Sequence, residues 1–308
     1  MPSDAVPHLR WTDLPVAALP LGPDLFDPAV TFTCGQTFRW EPVEGAWIGV
    51  AGGHIVRLWQ EGRWTCSQAY PPGFDLARYL WADFDLAGWA AAMRSRDPWL
   101  AMALAAFPGL RVLRQDPEEM LFTFALATAS HVPRITHMVR SLAAQLGAPI
   151  AWIDGRLYRA FPTAEALLAA PDDLLTGPCN LGYRARVIRR LAAWYCERGR
   201  AWLSDLAARP YAEAHRRLQE APGVGPKVAD CLCLFGLGFA EAVPIDAQTW
   251  KVARGLFGSA LPTRTLTART YRLAGDLFRQ RYGPAAGWAQ EYLYHAARTG
   301  RLAGLAAR

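Results

Sequence analysis

The residues of this 308-residue chain best placed to do chemistry lie in one stretch, Leu218-Gln-Glu-Ala-Pro-Gly-Val-Gly-Pro-Lys-Val-Ala-Asp-Cys231. A helix ending near Glu220, a turn at Pro222-Gly223-Val224-Gly225 and a second helix opening at Pro226-Lys227 leave glycine amides uncovered by side chains. Those amides, beside the partial positive charge of a helix N-terminus, suit a phosphate oxygen. Gly223, Val224 and Gly225 are therefore candidate phosphate-binding residues. The pattern is a helix–hairpin–helix, which holds a DNA backbone without reading its bases.

Lys227 stands in the first turn of that second helix and is one of two lysines, with Lys251, among 33 basic residues. The helix dipole and partial burial disfavour an ammonium there. A neutral amine could attack the deoxyribose C1′ and form a Schiff base. The ordinary use of a lysine at such a hairpin is a phosphate contact, and this segment leaves both readings open. An arginine would serve a phosphate equally well but cannot become a nucleophile, so the scarcity of lysine favours attack.

Nineteen residues on comes Ala242-Val-Pro-Ile-Asp246-Ala-Gln-Thr-Trp250. Asp246 occupies an N-cap position before a helix expected over 247–256. Capping alone would account for it. The same geometry keeps a carboxylate ionised where positive charge develops on a sugar during glycosidic cleavage.

These groups need elements to position them. Residues 1–95 read as a β-rich domain, with VTFTCGQTFRWEP as one strand region and Trp47–Ala51, Gly52-Gly53 and His54–Trp59 as a hairpin. Beyond about Phe74 alanine- and leucine-rich helical periodicity takes over. The expected architecture is α+β: a small antiparallel sheet domain, then an all-helical region over 96–308 in two lobes. One lobe covers about 113–208; the helix–hairpin–helix lobe takes 96–112 plus 209–308.

Composition bounds the rest. At 52% hydrophobic and 19% charged residues the chain is not disordered. It has no apolar run of ~18 residues, so no membrane span is expected. The opening MPSDAVPHLRWTDLP lacks a signal-like apolar core, which points to the cytoplasm. Residues 1–95 hold 6 basic and 10 acidic residues, net −4, whereas 96–308 hold 27 and 17, net +10. The basic part fits a polyanion partner, although charge alone fits a merely soluble basic protein as well. Six cysteines ending at Cys233 provide neither a disulfide scaffold nor metal-ligand spacing, so no cofactor or metal is expected.

Taken together, Pro222–Cys231 and Val243-Pro-Ile-Asp246 resemble the helix–hairpin–helix, glycine/proline-rich, aspartate superfamily of DNA glycosylases. Cys34-Gly-Gln-Thr-Phe-Arg-Trp40, Arg134-Ile-Thr136, Leu181-Gly-Tyr-Arg-Ala-Arg186 and Ala286-Gly-Trp-Ala-Gln290 are similar to its 8-oxoguanine DNA glycosylase branch, over about residues 30–298. The resemblance implies a base-excision enzyme that removes 8-oxoguanine from duplex DNA and has AP lyase activity. It implies Lys227 as the Schiff-base lysine and Asp246 as its activating aspartate. Gly35 would be the glycine whose carbonyl accepts the N7 proton that 8-oxoguanine has and guanine lacks. Gln290 would bond the Watson–Crick edge, with Tyr294 and Cys231 on the two faces of the base. Arg134, Tyr183 and Arg184 would meet the opposite cytosine, and Gln248 the 5′ phosphate. The family's gap-filling asparagine has no counterpart in Thr128-Ala-Ser-His-Val-Pro133, where Ser130 or His131 could substitute. The implied partner is double-stranded DNA containing oxidised guanine, met by a monomer. Alkylpurine glycosylases share the fold but lack the lysine. A non-catalytic DNA clamp would need neither Lys227 nor Asp246.

Overall fold

A computed structural model describes residues 6–263 and 265–306. Strands β1 (His8–Leu9), β2 (Ala17–Leu19), β3 (Trp40–Val43), β4 (Ala46–Ala51), β5 (His54–Glu61), β6 (Trp64–Tyr70), β7 (Pro149–Ile153) and β8 (Arg156–Arg159) form two sheets. The larger is antiparallel in the order β2-β6-β5-β4-β3. Its β4–β5 hairpin turns at Gly52-Gly53 with Ala51 opposite His54, as the sequence indicates.

Helices early in the chain are α1 (Pro28–Thr33), α2 (Leu76–Tyr79), α3 (Leu86–Arg96), α4 (Pro98–Ala106), α5 (Pro117–Leu126), α6 (Val132–Leu146), α7 (Ala164–Ala169) and α8 (Asp172–Thr176). Then come α9 (Arg184–Cys196), α10 (Gly199–Ala207), α11 (Tyr211–Leu218), α12 (Pro226–Leu232), α13 (Ala247–Phe257), α14 (Ala268–Tyr282) and α15 (Ala286–Arg298).

The sheet domain followed by a mostly helical remainder is the expected α+β architecture, with two corrections of detail. The Val30–Thr33 segment is helical, not extended. Its β-branched residues favour a strand, but Asp27 accepts hydrogen bonds from the Ala29 and Val30 amides at 2.8 and 3.2 Å, and Pro28 follows it. Cap and proline override propensity. The remainder is also not purely helical, because β7 and β8 form a hairpin there and β1 pairs parallel to β7. This hairpin packs Ala151, Ile153 and Tyr158 on Ile48, Val50 and Ile55 of the large sheet. The opposite face of that sheet packs Trp40, Val56 and Leu58 on Phe26, Phe32 and Leu80. A sheet buried on both faces explains why its strands carry unbroken apolar pairs such as Ile55-Val56, both 0% exposed.

The turn after α1 is fastened to the segment entering α5. Gln36 donates to the Arg111 carbonyl at 2.7 Å and accepts from the Leu113 amide at 2.8 Å, while Gln115 donates to the Gln36 carbonyl at 2.8 Å. The Arg111 side chain, 1% exposed, donates to the carbonyls of Leu80 and Trp81, both at 2.6 Å, and of Leu25 at 3.0 Å. One buried arginine and one buried glutamine thus fix the sheet domain to the helical body, each with its polar atoms satisfied by backbone.

Candidate active site

The helix–hairpin–helix forms as the sequence predicts, from α11, a turn over residues 219–225, and α12. Gly223 has φ +81, and a Cβ there would lie 2.4 Å from Val187 Cγ1, so both backbone angle and close approach of α9 demand glycine. Gly225, the N-cap of α12, has ordinary extended angles and open space around it. Its value is an uncovered amide. Val224 differs: its amide donates to the Ala221 carbonyl at 3.1 Å and its side chain is buried, so it shapes the turn instead of offering a donor.

A buried network sets α12. Asp230, 2% exposed, accepts from the hydroxyls of Tyr211 and Tyr271, each at 2.6 Å, and lies 3.4 Å from His215 Nε2. Burial works against a charged His215, but the Asp230 hydrogen bond and charge outweigh it and raise the pKa of the ring. The Tyr271 hydroxyl also accepts from the Ile245 amide at 3.3 Å. One hydroxyl therefore ties the lysine-bearing helix to the strand-like approach to Asp246.

Asp246 caps α13, accepting from the Thr249 amide at 2.7 Å. Lys227 and Asp246 line the same cavity of about 720 Å³, together with Gly35, Tyr294, Gly223 and Gly225. That is within the usual range of a ligand site. Lys227 Nζ sits 5.4 Å over the Phe124 ring, which stacks on Phe235 at 5.4 Å. Phe235 belongs to a π-helical turn, Cys233–Leu237, that continues α12. Such one-turn distortions re-aim side chains at functional sites. One turn after Lys227 stands Cys231; burial pushes its thiol up to about 12, against the pull of the nearby Lys227 charge.

Beyond the cavity opens a recess of about 50 Å³, lined by Gly35, Lys227, Cys231, Asp246, Gln290 and Tyr294 among others. Gly35, Phe124, Lys227, Asp246 and Tyr294 line both, so the recess is the inner end of the large cavity. Gln290, 3% exposed, donates through Nε2 to Thr249 Oγ1 at 3.0 Å, and its Oε1 has no partner. Gly35 has φ +109, with a would-be Cβ 3.3 Å from Val132 Cγ2 and 3.7 Å from the Tyr294 hydroxyl. The structure thus brings Lys227, Asp246, Gly35, Gln290, Tyr294 and Cys231 to one place.

Ser130 and His131 line the large cavity's rim. His131 is exposed and caps α6, while Ser130 is half-buried with an unpartnered Oγ. Ala129 beside them holds φ +50, a left-handed angle that asparagine adopts more readily than alanine. Arg134, Tyr183, Arg184 and Gln248 lie outside both cavities. Arg134 is exposed on α6, Gln248 is half-buried in the first turn of α13, and Tyr183 is 66% exposed at the start of α9. Arg184 is buried; its guanidinium donates to the carbonyls of Leu126, Thr128 and Ala129 and sits 4.5 Å from the Tyr183 ring centre. The sequence reading missed Phe124, Thr249, Tyr271 and Glu291. Only Glu291 leaves a local signal, the one charged carboxyl in Gly287–Ala297, a stretch otherwise apolar or aromatic apart from Gln290 and His295.

Among the described residues no helix is long and apolar enough to cross a membrane, and no cluster of metal-ligating side chains occurs.

The family description "8-oxoguanine DNA glycosylase, N-terminal domain" matches residues 18–121. The chain is 32% identical to the N-glycosylase/DNA lyase OGG1 of Arabidopsis thaliana, covering 86% of this chain and 75% of that protein. Among solved structures it is similar to MBOgg1 in complex with a low-affinity DNA ligand, with a TM-score of 0.80, 27% identity, and 92% and 96% of the two chains covered. It is also similar to Clostridium acetobutylicum 8-oxoguanine glycosylase/lyase bound to double-stranded DNA with cytosine opposite 8-oxoG. That match has a TM-score of 0.77 and 26% identity, covering 90% and 93% of the chains.

Proposed function

The chain belongs to the 8-oxoguanine DNA glycosylase family of the helix–hairpin–helix superfamily, and from that membership we propose how its residues divide the reaction. It is a bifunctional N-glycosylase/DNA lyase that removes 8-oxoguanine from duplex DNA. The observation that carries the residue assignment is the meeting of Lys227 and Asp246, each at a helix N-terminus, in one cavity beside the Gly35 turn.

The Gly225 amide and the opening of α12 hold a backbone phosphate, with Gln248 nearby on α13 for another. The damaged nucleotide swings out of the stack into the cavity. Gly35 accepts the N7 proton, the free Oε1 of Gln290 accepts from the Watson–Crick edge, and Tyr294 and Cys231 flank the ring. Lys227 attacks C1′ as the bond to N9 breaks, its electron pair leaving with the base. Asp246, fixed by the Thr249 amide, stabilises the positive charge on the sugar. Ring opening gives the Schiff base; loss of a C2′ proton then expels the 3′ phosphate. Tyr183 and Arg134 face the opposite strand. Arg184 acts through the Thr128–His131 loop that it braces, whose Ser130 and His131 fill the vacated gap. The protein works as a monomer, at the bacterial nucleoid while it scans DNA: Lys227, Asp246, Gly35 and Tyr294 of a single chain line one cavity.

Borohydride reduction during turnover on 8-oxoguanine DNA should trap the protein covalently, and Lys227→Gln should abolish the trapped band. A fully trapping, fully cleaving Gln variant would remove Lys227 from this role.

A further inference from the structure

Glu291 is the polar group of the recess to which the mechanism gives no task. It follows Gln290 on α15, is 3% exposed, and lines the recess with Gly35, Lys227, Cys231 and Asp246. Its Oε1 has no hydrogen-bond partner, and its carboxyl meets the Cys34 thiol, the residue bonded to Gly35. The charged and titratable groups facing it are Cys34 after α1, Lys227 on α12, Asp246 at the start of α13, and Tyr294 and Arg298 on its own helix. Burial pushes the Glu291 carboxyl up to about 7, and Asp246 adds to the rise; the neighbouring Cys34 thiol, Arg298 and Lys227 oppose it. Near neutral pH much of it therefore carries a proton and can donate.

We propose that Glu291 is a further base-recognition residue, whose unpartnered Oε1 donates a hydrogen bond to a carbonyl oxygen flanking N7 of the extruded purine. The inference rests on the 8-oxoguanine reading. On that base both neighbours of N7, O6 and O8, are carbonyl oxygens that only accept. Gly35 at the same edge offers a carbonyl that accepts from N7–H. A carboxyl beside it completes an edge that takes one hydrogen bond and gives one, matching a lactam. An ionised carboxylate in the same place would repel the flanking oxygen, so recognition weakens as Glu291 loses its proton.

The test is single-turnover excision of 8-oxoguanine across pH, with strand cleavage of DNA already lacking the base as the parallel arm. The wild-type protein should lose roughly ten-fold in excision rate on passing above about pH 7, the worth of one such hydrogen bond. Cleavage of base-free DNA by the same protein should show no such fall. Glu291→Gln, whose amide donates at every pH, should excise without the alkaline loss. An equal fall at the same pH in Glu291→Gln, or on base-free DNA, would overturn the proposal. A wild-type protein that cleaves base-free DNA but never excises 8-oxoguanine would instead overturn the substrate reading on which it rests.

Discussion

Tyr271→Phe removes a single oxygen that joins the two halves of the proposed catalytic pair, Lys227 and Asp246. In the native protein that hydroxyl donates to Asp230 at 2.6 Å and accepts from the Ile245 amide at 3.3 Å, in a residue 7% exposed. The first bond is charge-assisted and short, worth about 1.5–3 kcal/mol; the second is long and neutral, worth about 0.5–1 kcal/mol. Asp230 keeps Tyr211 at 2.6 Å and His215 at 3.4 Å, so its charge is not orphaned, but the Ile245 amide loses that partner in a buried place. The expected loss is about 2–4 kcal/mol. At about 2 °C per kcal/mol for a chain of this size, the unfolding midpoint should drop by about 4–8 °C. Function should suffer separately. The Ile245 bond aims the residue before Asp246, and small misplacements of a reacting group cost up to about 100-fold. Single-turnover excision should therefore slow by at least about ten-fold while DNA affinity stays near wild type. Calorimetry and rapid-quench kinetics on the same preparation decide the matter. A variant with an unchanged midpoint and an unchanged excision rate would show that this hydroxyl does not couple α12 to Asp246, and the positioning argument would fail.

Gly223→Ala meets both a φ of +81 and a side chain 2.4 Å away, so it should cost about 1–3 kcal/mol in urea unfolding and weaken binding to lesion and intact duplex alike in gel-shift titrations. Gly35→Ala strains a φ of +109 but crowds only Val132 at 3.3 Å; the fold should survive, while the excision ratio of 8-oxoguanine to guanine falls. His215→Gln tests linkage. Because Asp230 raises the His215 pKa, the stabilisation is complete below the ordinary histidine value and fades as pH rises through the raised one. The midpoint difference between wild type and His215→Gln should thus be larger at pH 5.5 than at pH 9, as thermal melts would reveal.

The hairpin and its lysine were legible because their demands are local: two glycines, two prolines and a first-turn lysine fall within the six residues 222–227. Lysine scarcity alone would have flagged Lys251 equally, yet that residue lies exposed on α13, and only the glycine turn separates the two. Asp246 was legible as a cap for the same reason. Tyr271 was not, because its partners Asp230 and Ile245 are 41 and 26 residues away, and nothing in a tyrosine on an amphipathic helix announces them. The α1 segment was misread as a strand where β-branched content spoke louder than Asp27-Pro28. The β7–β8 hairpin was missed inside a helical background, since its strands gain their burial from a sheet formed about a hundred residues earlier. Arg184 matched a motif by type and position, but only three dimensions reveal that its guanidinium is spent on loop carbonyls.

Gln36 hangs the Gly35 turn from residues 111–115, so the carbonyl we propose to inspect a purine is mounted on the seam between sheet domain and helical body. Fidelity is then a mechanical inheritance. Slackening that seam, even at a side chain far from any nucleotide, would leave a folded enzyme whose judgement between damaged and sound bases had blurred, and mutational drift toward indiscriminate excision could begin there without touching the pocket.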